Sequence, residues 1–203
     1  MSYIIDKTFK EWTEGRDPVA SRINIYEHVR DINYAVIPEI RNYDKGPEEM
    51  LAGMRGSCTP KHFLLGMFYE RLGLAVKYVT YPFTWNDPEI AYPDELRRAS
   101  EKLPTEYHLA LIVSLEREPV LVDATWDLAL ADVGFPVNKR WDGLSDTLLA
   151  VKPEGEIIHA SAAEREDYVD ARKSKWTDEE HARMGYFYNE LNRWLEAVRT
   201  YGG

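Results

Sequence analysis

The segment HLALIVSLEREPVLVDATW, residues 108–126, constrains the fold more than any other part of the chain. Two apolar, β-branched runs flank a polar break that contains a proline, a pattern that predicts two antiparallel strands with a tight connection. Residues 75–83, AVKYVTYPF, have the same β-branched and aromatic character and predict a further strand. Side chains alternate between the faces of a strand, so Leu109, Leu111, Val113 and Leu115 share one face while His108, Ala110 and Ile112 share the other. In the second run Val120, Val122 and Trp126 oppose Leu121, Asp123 and Thr125. Matching the small and polar faces puts a histidine and an acid on one side of the sheet's centre, looking toward a helix packed there. An acid in an otherwise apolar strand needs a partner, and His108 is placed to be one. The register stays open. Setting His108 directly opposite Asp123 centres the turn between Leu115 and Glu116, whereas the EREP break centres it later and sets Asp127 opposite His108 instead. Asp127 shares the strand face of Asp123, so a bulge or a slip decides between them.

The stretch RGSCTPKHF, residues 55–63, holds the only cysteine, Cys58. Thr59 as a cap and Pro60 at the first helical position predict a helix start there, with Leu64, Met67, Phe68 and Leu72 at helical spacing and Gly73 as the stop. A thiol at a helix N-terminus meets unpaired N–H groups and the positive end of the macrodipole, which lower its pKa and can also bind an oxyanion. The resulting thiolate needs a base that later protonates the leaving group, and an imidazole held by a carboxylate does this near neutral pH. Cys58, His108 and Asp123 are therefore the expected catalytic residues. His62, four residues after Cys58, could share the thiol's helix face as an alternative redox or ligand partner; a partly exposed position is expected instead.

The rest of the chain reads more coarsely, without internal repeats or low-complexity tracts. Ile23, Tyr26, Val29 and Ile32 form a helical stripe within residues 20–41 that Pro38 should interrupt. A short helix is expected at 48–55. Residues 86–104 have the look of a surface excursion, and 86–106 is the expected substrate-shaping loop. TLLAVKPEGEIIHA predicts a second hairpin turning at Glu154 and Gly155, and TDEE, residues 177–180, is a capping box. The helix it opens carries Met184, Tyr188, Leu191, Leu195 and Val198 on one face and is expected on the outside. Trp85 and Tyr107 flank the expected cleft. His159, His181 and the acidic run EREDYVD, residues 164–170, read as solvent-facing.

Composition removes several classes of function. The 203 residues are 44% hydrophobic and 12% aromatic, enough to bury the core of one domain. With 35 acidic and 25 basic residues the formal net charge is −10, which repels phosphate backbones and anionic lipid surfaces. Neither nucleic acid nor membrane is an expected partner. No apolar run approaches the ~20 residues of a membrane span, and the charged residues of MSYIIDKTFKEWTEGRD stand where a signal peptide needs an apolar stretch, so a cytoplasmic location is expected. One cysteine forms no internal disulfide, and the five histidines (28, 62, 108, 159 and 181) show no zinc-ligand spacing. No metal or cofactor is expected.

GSC before an apolar helix that ends in ERLGLAVKYVTY, followed by HLALIVSL and VLVDATWD, resembles the transglutaminase-like superfamily of papain-like cysteine enzymes. The resemblance covers about residues 46–127. It implies an α+β papain-like core, with the cysteine helix packed on an antiparallel sheet, to which the helical patterns outside that stretch add N- and C-terminal helices. It further implies Cys58 as nucleophile, His108 as base and Asp123 as orienting acid, with an upstream aromatic oxyanion donor that no residue here, Tyr34 included, can be aligned to. Arylamine N-acetyltransferases share this logic, but RGSC lacks the residue that separates their RGG from the cysteine. The expectation is a single domain over 1–203: a helical lead at 1–45, the core, and a hairpin and helix at 146–203. Its expected function is acyl transfer, or hydrolysis of a peptide, protein or small-amide substrate, through a thioester. The alternative is a catalytically silent domain that binds a protein or peptide in the same groove.

Overall fold

The computed structural model describes residues 2–116 and 118–201. Two helices, α1 (Tyr3–Thr13) and α2 (Pro18–Asp31), lead into a two-residue strand β1 (Asn33–Tyr34), and α3 (Gly46–Gly53) leads into its parallel partner β2 (Arg55–Gly56). Then follow α4 (Cys58–Arg71), β3 (Ala75–Phe83), α5 (Asp94–Ser100), β4 (Glu106–Ser114), β5 (Pro119–Val122), β6 (Ile157–His159), α6 (Ala162–Lys173) and α7 (Asp178–Tyr201). The architecture is α+β, with a four-stranded antiparallel sheet in the order β5-β4-β3-β6. Among the described residues no helix is long and apolar enough to cross a membrane.

Side-chain caps set the starts of α2, α6 and α7. Asp17 accepts the Ala20 N–H and Pro18 occupies the first turn of α2, a start that needs no further signal. That helix stops at Asp31, well before Pro38, because the chain leaves it to pair Tyr34 with Gly56; Pro38 instead opens a 3-10 turn, Pro38–Ile40. Thr177 and Glu180 close the expected capping box reciprocally: the Glu180 N–H donates to Thr177 Oγ1 at 3.2 Å and the Thr177 N–H to Glu180 Oε2 at 2.7 Å.

One core lies between α4 and the sheet, where Phe63, Leu64 and Phe68 meet Leu109, Leu111 and Val113. This reverses the expected facing of β4. Its large apolar side chains cover α4, and Ala110 turns to the opposite face with Val79 and Tyr81. A second core gathers Phe83, Trp85, Trp126 and Phe135 under the buried stripe of α7. The last helix is thus seated on a core of its own, and the excursion after Trp85 contributes Ile90, Tyr92 and Leu96 to it.

The expected hairpin at 146–160 does not form. Its first half lies along β5, where the Thr147 N–H donates to Leu121 O at 3.0 Å, while its second half is β6 on the far edge of the sheet, paired with β3 through Tyr78 and His159. Asp123 is the reason for the split. Its N–H donates to Thr147 Oγ1 at 2.8 Å and its carboxylate accepts the Ala150 N–H at 2.8 Å, bonds that hold the first half where a local hairpin would not put it.

Candidate active site

Cys58 is the first residue of α4. Ser57, rather than Thr59, is the N-cap residue, and it makes no side-chain cap bond, so no side chain blocks the amides of the first turn. The preceding Gly56 is needed for packing: a Cβ there would lie 2.8 Å from Met50 Cγ and 3.0 Å from Pro60 Cγ. The close fit fixes the approach of β2 to the helix, and with it the place of the thiol.

His108 is the third residue of β4, and its Nε2 lies 2.7 Å from Asp123 Oδ2. Tyr81 and Phe83 pack around the imidazole. Asp123 follows the last residue of β5, and each of its oxygens has further donors: Ala150 N–H on Oδ2, and Thr125 N–H (3.1 Å) and hydroxyl (2.6 Å) on Oδ1. With Nε2 committed to the carboxylate, Nδ1 is the ring nitrogen left for the thiol.

The observed register is neither of those expected. The ladder sets Leu111 opposite Val122 and Val113 opposite Val120, and it ends at Val122. Continued, it would set Thr125 opposite His108 and Asp123 opposite Ala110, one diagonal step away on the same face. Asp127 is engaged elsewhere. It accepts the Tyr34 N–H at 2.9 Å and binds Arg199 Nη2 at 2.6 Å, tying β1 to α7.

The electrostatics couple the three groups. Burial opposes a charged thiol, but the His108 charge and hydrogen bond, with help from Arg165 and the Leu109 amide, bring Cys58 below the ordinary thiol range. Burial likewise opposes an imidazolium, yet Asp123 and Cys58 push His108 up to about 10. Asp123 is itself held far below the usual carboxylate range, because the His108 charge and hydrogen bond outweigh the cost of its burial. The three shifts all run in the direction that favours the charged forms of these groups.

His62 is fully buried, not partly exposed, and its ring nitrogens bond backbone groups rather than the thiol. Its Nε2 accepts the Ala124 N–H at 3.0 Å, so Nδ1 carries the proton and donates to Cys58 O at 2.8 Å. Burial keeps it neutral, with its pKa below the usual histidine value. It therefore fixes the backbone of the helix start to the chain just past Asp123. Lys61 works beside it: its Nζ donates to the carbonyls of Arg30, Ile32 and Thr125 at 2.9, 2.8 and 2.7 Å, three acceptors for the three protons of an ammonium. Nothing in the spacing of TPKH distinguished these buried anchors from solvent-facing residues of a helix.

Cys58 and His108 open onto a cavity of about 470 Å³, lined also by Tyr34, Trp85, Trp126 and Tyr188. The expected cleft residues Trp85 and Tyr107 both line it, and exposed His181 stands at its wall. His159 is not solvent-facing; it is buried, with Nε2 3.0 Å from Thr80 Oγ1. Residues 86–105 do not line the cavity, because α5 and its flanks pack into the second core instead. The wall expected from them is built by α6 and α7, through Arg165, Val169, Lys173 and Met184. The run EREDYVD is consequently half buried: Arg165 and Val169 face inward, and a spacing of four from Arg165 through Val169 to Lys173 was the available signal. Among the described residues no group of three or more His, Cys, Asp or Glu side chains is arranged to hold a metal ion.

No family model, no curated protein and no solved structure matches the chain.

Proposed function

We propose that the chain is a transglutaminase-like cysteine enzyme of the papain-like kind, transferring or hydrolysing acyl groups through Cys58, His108 and Asp123. The observation that carries this reading is the 2.7 Å contact of His108 Nε2 with Asp123, which leaves Nδ1 for a thiol at an uncapped helix start, all three facing or flanking one apolar cavity. The Cys58 thiolate attacks the carbonyl carbon of an amide or ester, and the carbonyl electron pair moves onto oxygen. First-turn amides of α4 are the natural oxyanion donors, and Tyr34, which lines the same cavity, offers a hydroxyl. Collapse of the intermediate breaks the bond to the leaving amine or alcohol, which takes the His108 proton. Water or a second amine, deprotonated by His108, then attacks the thioester and returns the thiolate. Asp123 holds the imidazole in one tautomer and stabilises its charged form throughout.

The test is the rate of iodoacetamide alkylation of Cys58 against pH, read by intact mass, in the native protein and in His108→Ala. The reading expects rapid labelling that persists to about pH 6 and is lost in the variant. Slow labelling that rises only near pH ~8.5 in both proteins would sink it and favour a silent, partner-binding groove.

A further inference from the structure

The cavity wall opposite in origin to the catalytic blocks carries an unusual cation. Arg165 is only 4% exposed, yet among the described residues it has no carboxylate within 4.0 Å. Its Nη2 donates to Tyr107 O at 3.1 Å, its guanidinium carbon lies 5.9 Å from the centre of the Phe63 ring, and its Nε is buried without a hydrogen-bond partner. Buried charges are ordinarily paired, because an unpaired one loses its hydration for nothing. The neighbouring acids are already taken. Glu106 binds Lys173 at 2.6 Å and the Tyr188 hydroxyl, Asp170 binds Arg41 at 3.0 Å, and Glu166 accepts the Tyr43 N–H at 2.9 Å. The other arginine and lysine of the cavity wall, Arg41 and Lys173, are the partners in those pairs, which among the described residues leaves Arg165 without an acid.

We propose that Arg165 docks a carboxylate on the substrate, so that Cys58 acts on acyl donors bearing an acid near the carbonyl it attacks. This rests on the acyl-transfer reading above. The planar fork of a guanidinium matches a carboxylate, and apolar surroundings strengthen the pairing while making a neutral analogue leave the cation unpaired. Aromatic walls supplied by Trp85 and Trp126 fit the hydrocarbon portion of such a donor. A competing role is that Arg165 merely offsets the charge of the Cys58 thiolate; that role also favours an anionic electrophile through space, but it predicts no saturable protection by a carboxylate.

The experiment compares alkylation of Cys58 by iodoacetate and by iodoacetamide at one pH, in the native protein, Arg165→Gln and Arg165→Lys. Each reagent forms one S–C bond and releases iodide, so the thiolate fraction cancels in the ratio of the two rates. The proposal expects that ratio to fall on the order of tenfold in Arg165→Gln and to recover partly in Arg165→Lys. It also expects 3-phenylpropionate to protect native Cys58 saturably from iodoacetamide, with 3-phenylpropionamide protecting far less. Equal protection by acid and amide, whatever the ratio, overturns it and leaves Arg165 as a thiolate neighbour. Should the glutamine variant fail to fold, the protection pair decides alone. A slow, ordinary iodoacetamide rate in the native protein would instead tell against the acyl-transfer reading, while the selective protection by the acid would still stand or fall separately.

Discussion

The Asp123 carboxylate reaches His108 Nε2 at 2.7 Å across a strand pair whose ladder has already ended at Val122. The contact therefore does not come from ladder geometry alone. It depends on the diagonal placement of the two residues and on further bonds that hold Asp123 after the strand stops: three that its carboxylate accepts from Thr125 and Ala150, and one that its N–H donates to Thr147. Replacing Asp123 by Asn removes the negative charge and leaves a buried imidazole that prefers its neutral form. Iodoacetamide labelling of Cys58 at pH 6 should fall at least about tenfold, and denaturant unfolding should show a loss of about 3 kcal/mol or more, as expected when one member of a buried pair is deleted.

Asp127→Asn should separate cleanly from that variant. Asp127 clamps Arg199 and the Tyr34 N–H, so its loss loosens α7 from β1 and lowers stability by about 1–3 kcal/mol. It does not touch the imidazole. The pH profile of Cys58 labelling should keep its low-pH activity in Asp127→Asn and lose it in Asp123→Asn, measured side by side at a temperature where both are folded.

How much of this was legible depended on whether the deciding interaction was local. The strand at 75–83 and the TDEE cap were readable because β-branched residues and a reciprocal box act within a few residues. The hairpin at 146–160 was misread because a buried carboxylate, distant in sequence, claims Thr147 and Ala150. Residue types and order placed Cys58, His108 and Asp123 on the page together, whereas the choice against Asp127 turned on a register that no pattern in EREP encodes. Arg165 was hidden in an acidic run, since its inward face appears only once the helix packs.

Alkaline pH offers a stability test of the His108 pair. Its folded pKa, about 10, lies above the ordinary histidine value of 6.5, so the folded state holds the proton that the unfolded state releases. The stabilisation is fully present below about pH 6.5 and is lost as pH rises through about 10. Comparing pH 9 with pH 11 avoids most of the thiol's contribution, because an unfolded thiol is already largely ionised there. Over that interval the native protein should lose more stability than His108→Gln in guanidinium unfolding, by on the order of 1 kcal/mol. Equal losses in the two proteins would mean that the imidazolium is not stabilised in the fold.

His62→Leu distinguishes an anchor from a catalytic partner. The substitution deletes the acceptor of the Ala124 N–H, leaving that buried donor unpaired, and removes the second bond to Cys58 O, which keeps its helical partner. At about 1–3 kcal/mol for the unsatisfied Ala124 N–H, the midpoint of unfolding should drop by more than for a typical surface change. On the proposed reading the thiolate depends on His108 instead, so labelling of the folded variant should still persist toward pH 6. A loss of low-pH reactivity larger than that in His108→Ala would transfer the role of base to His62 and reverse the assignment.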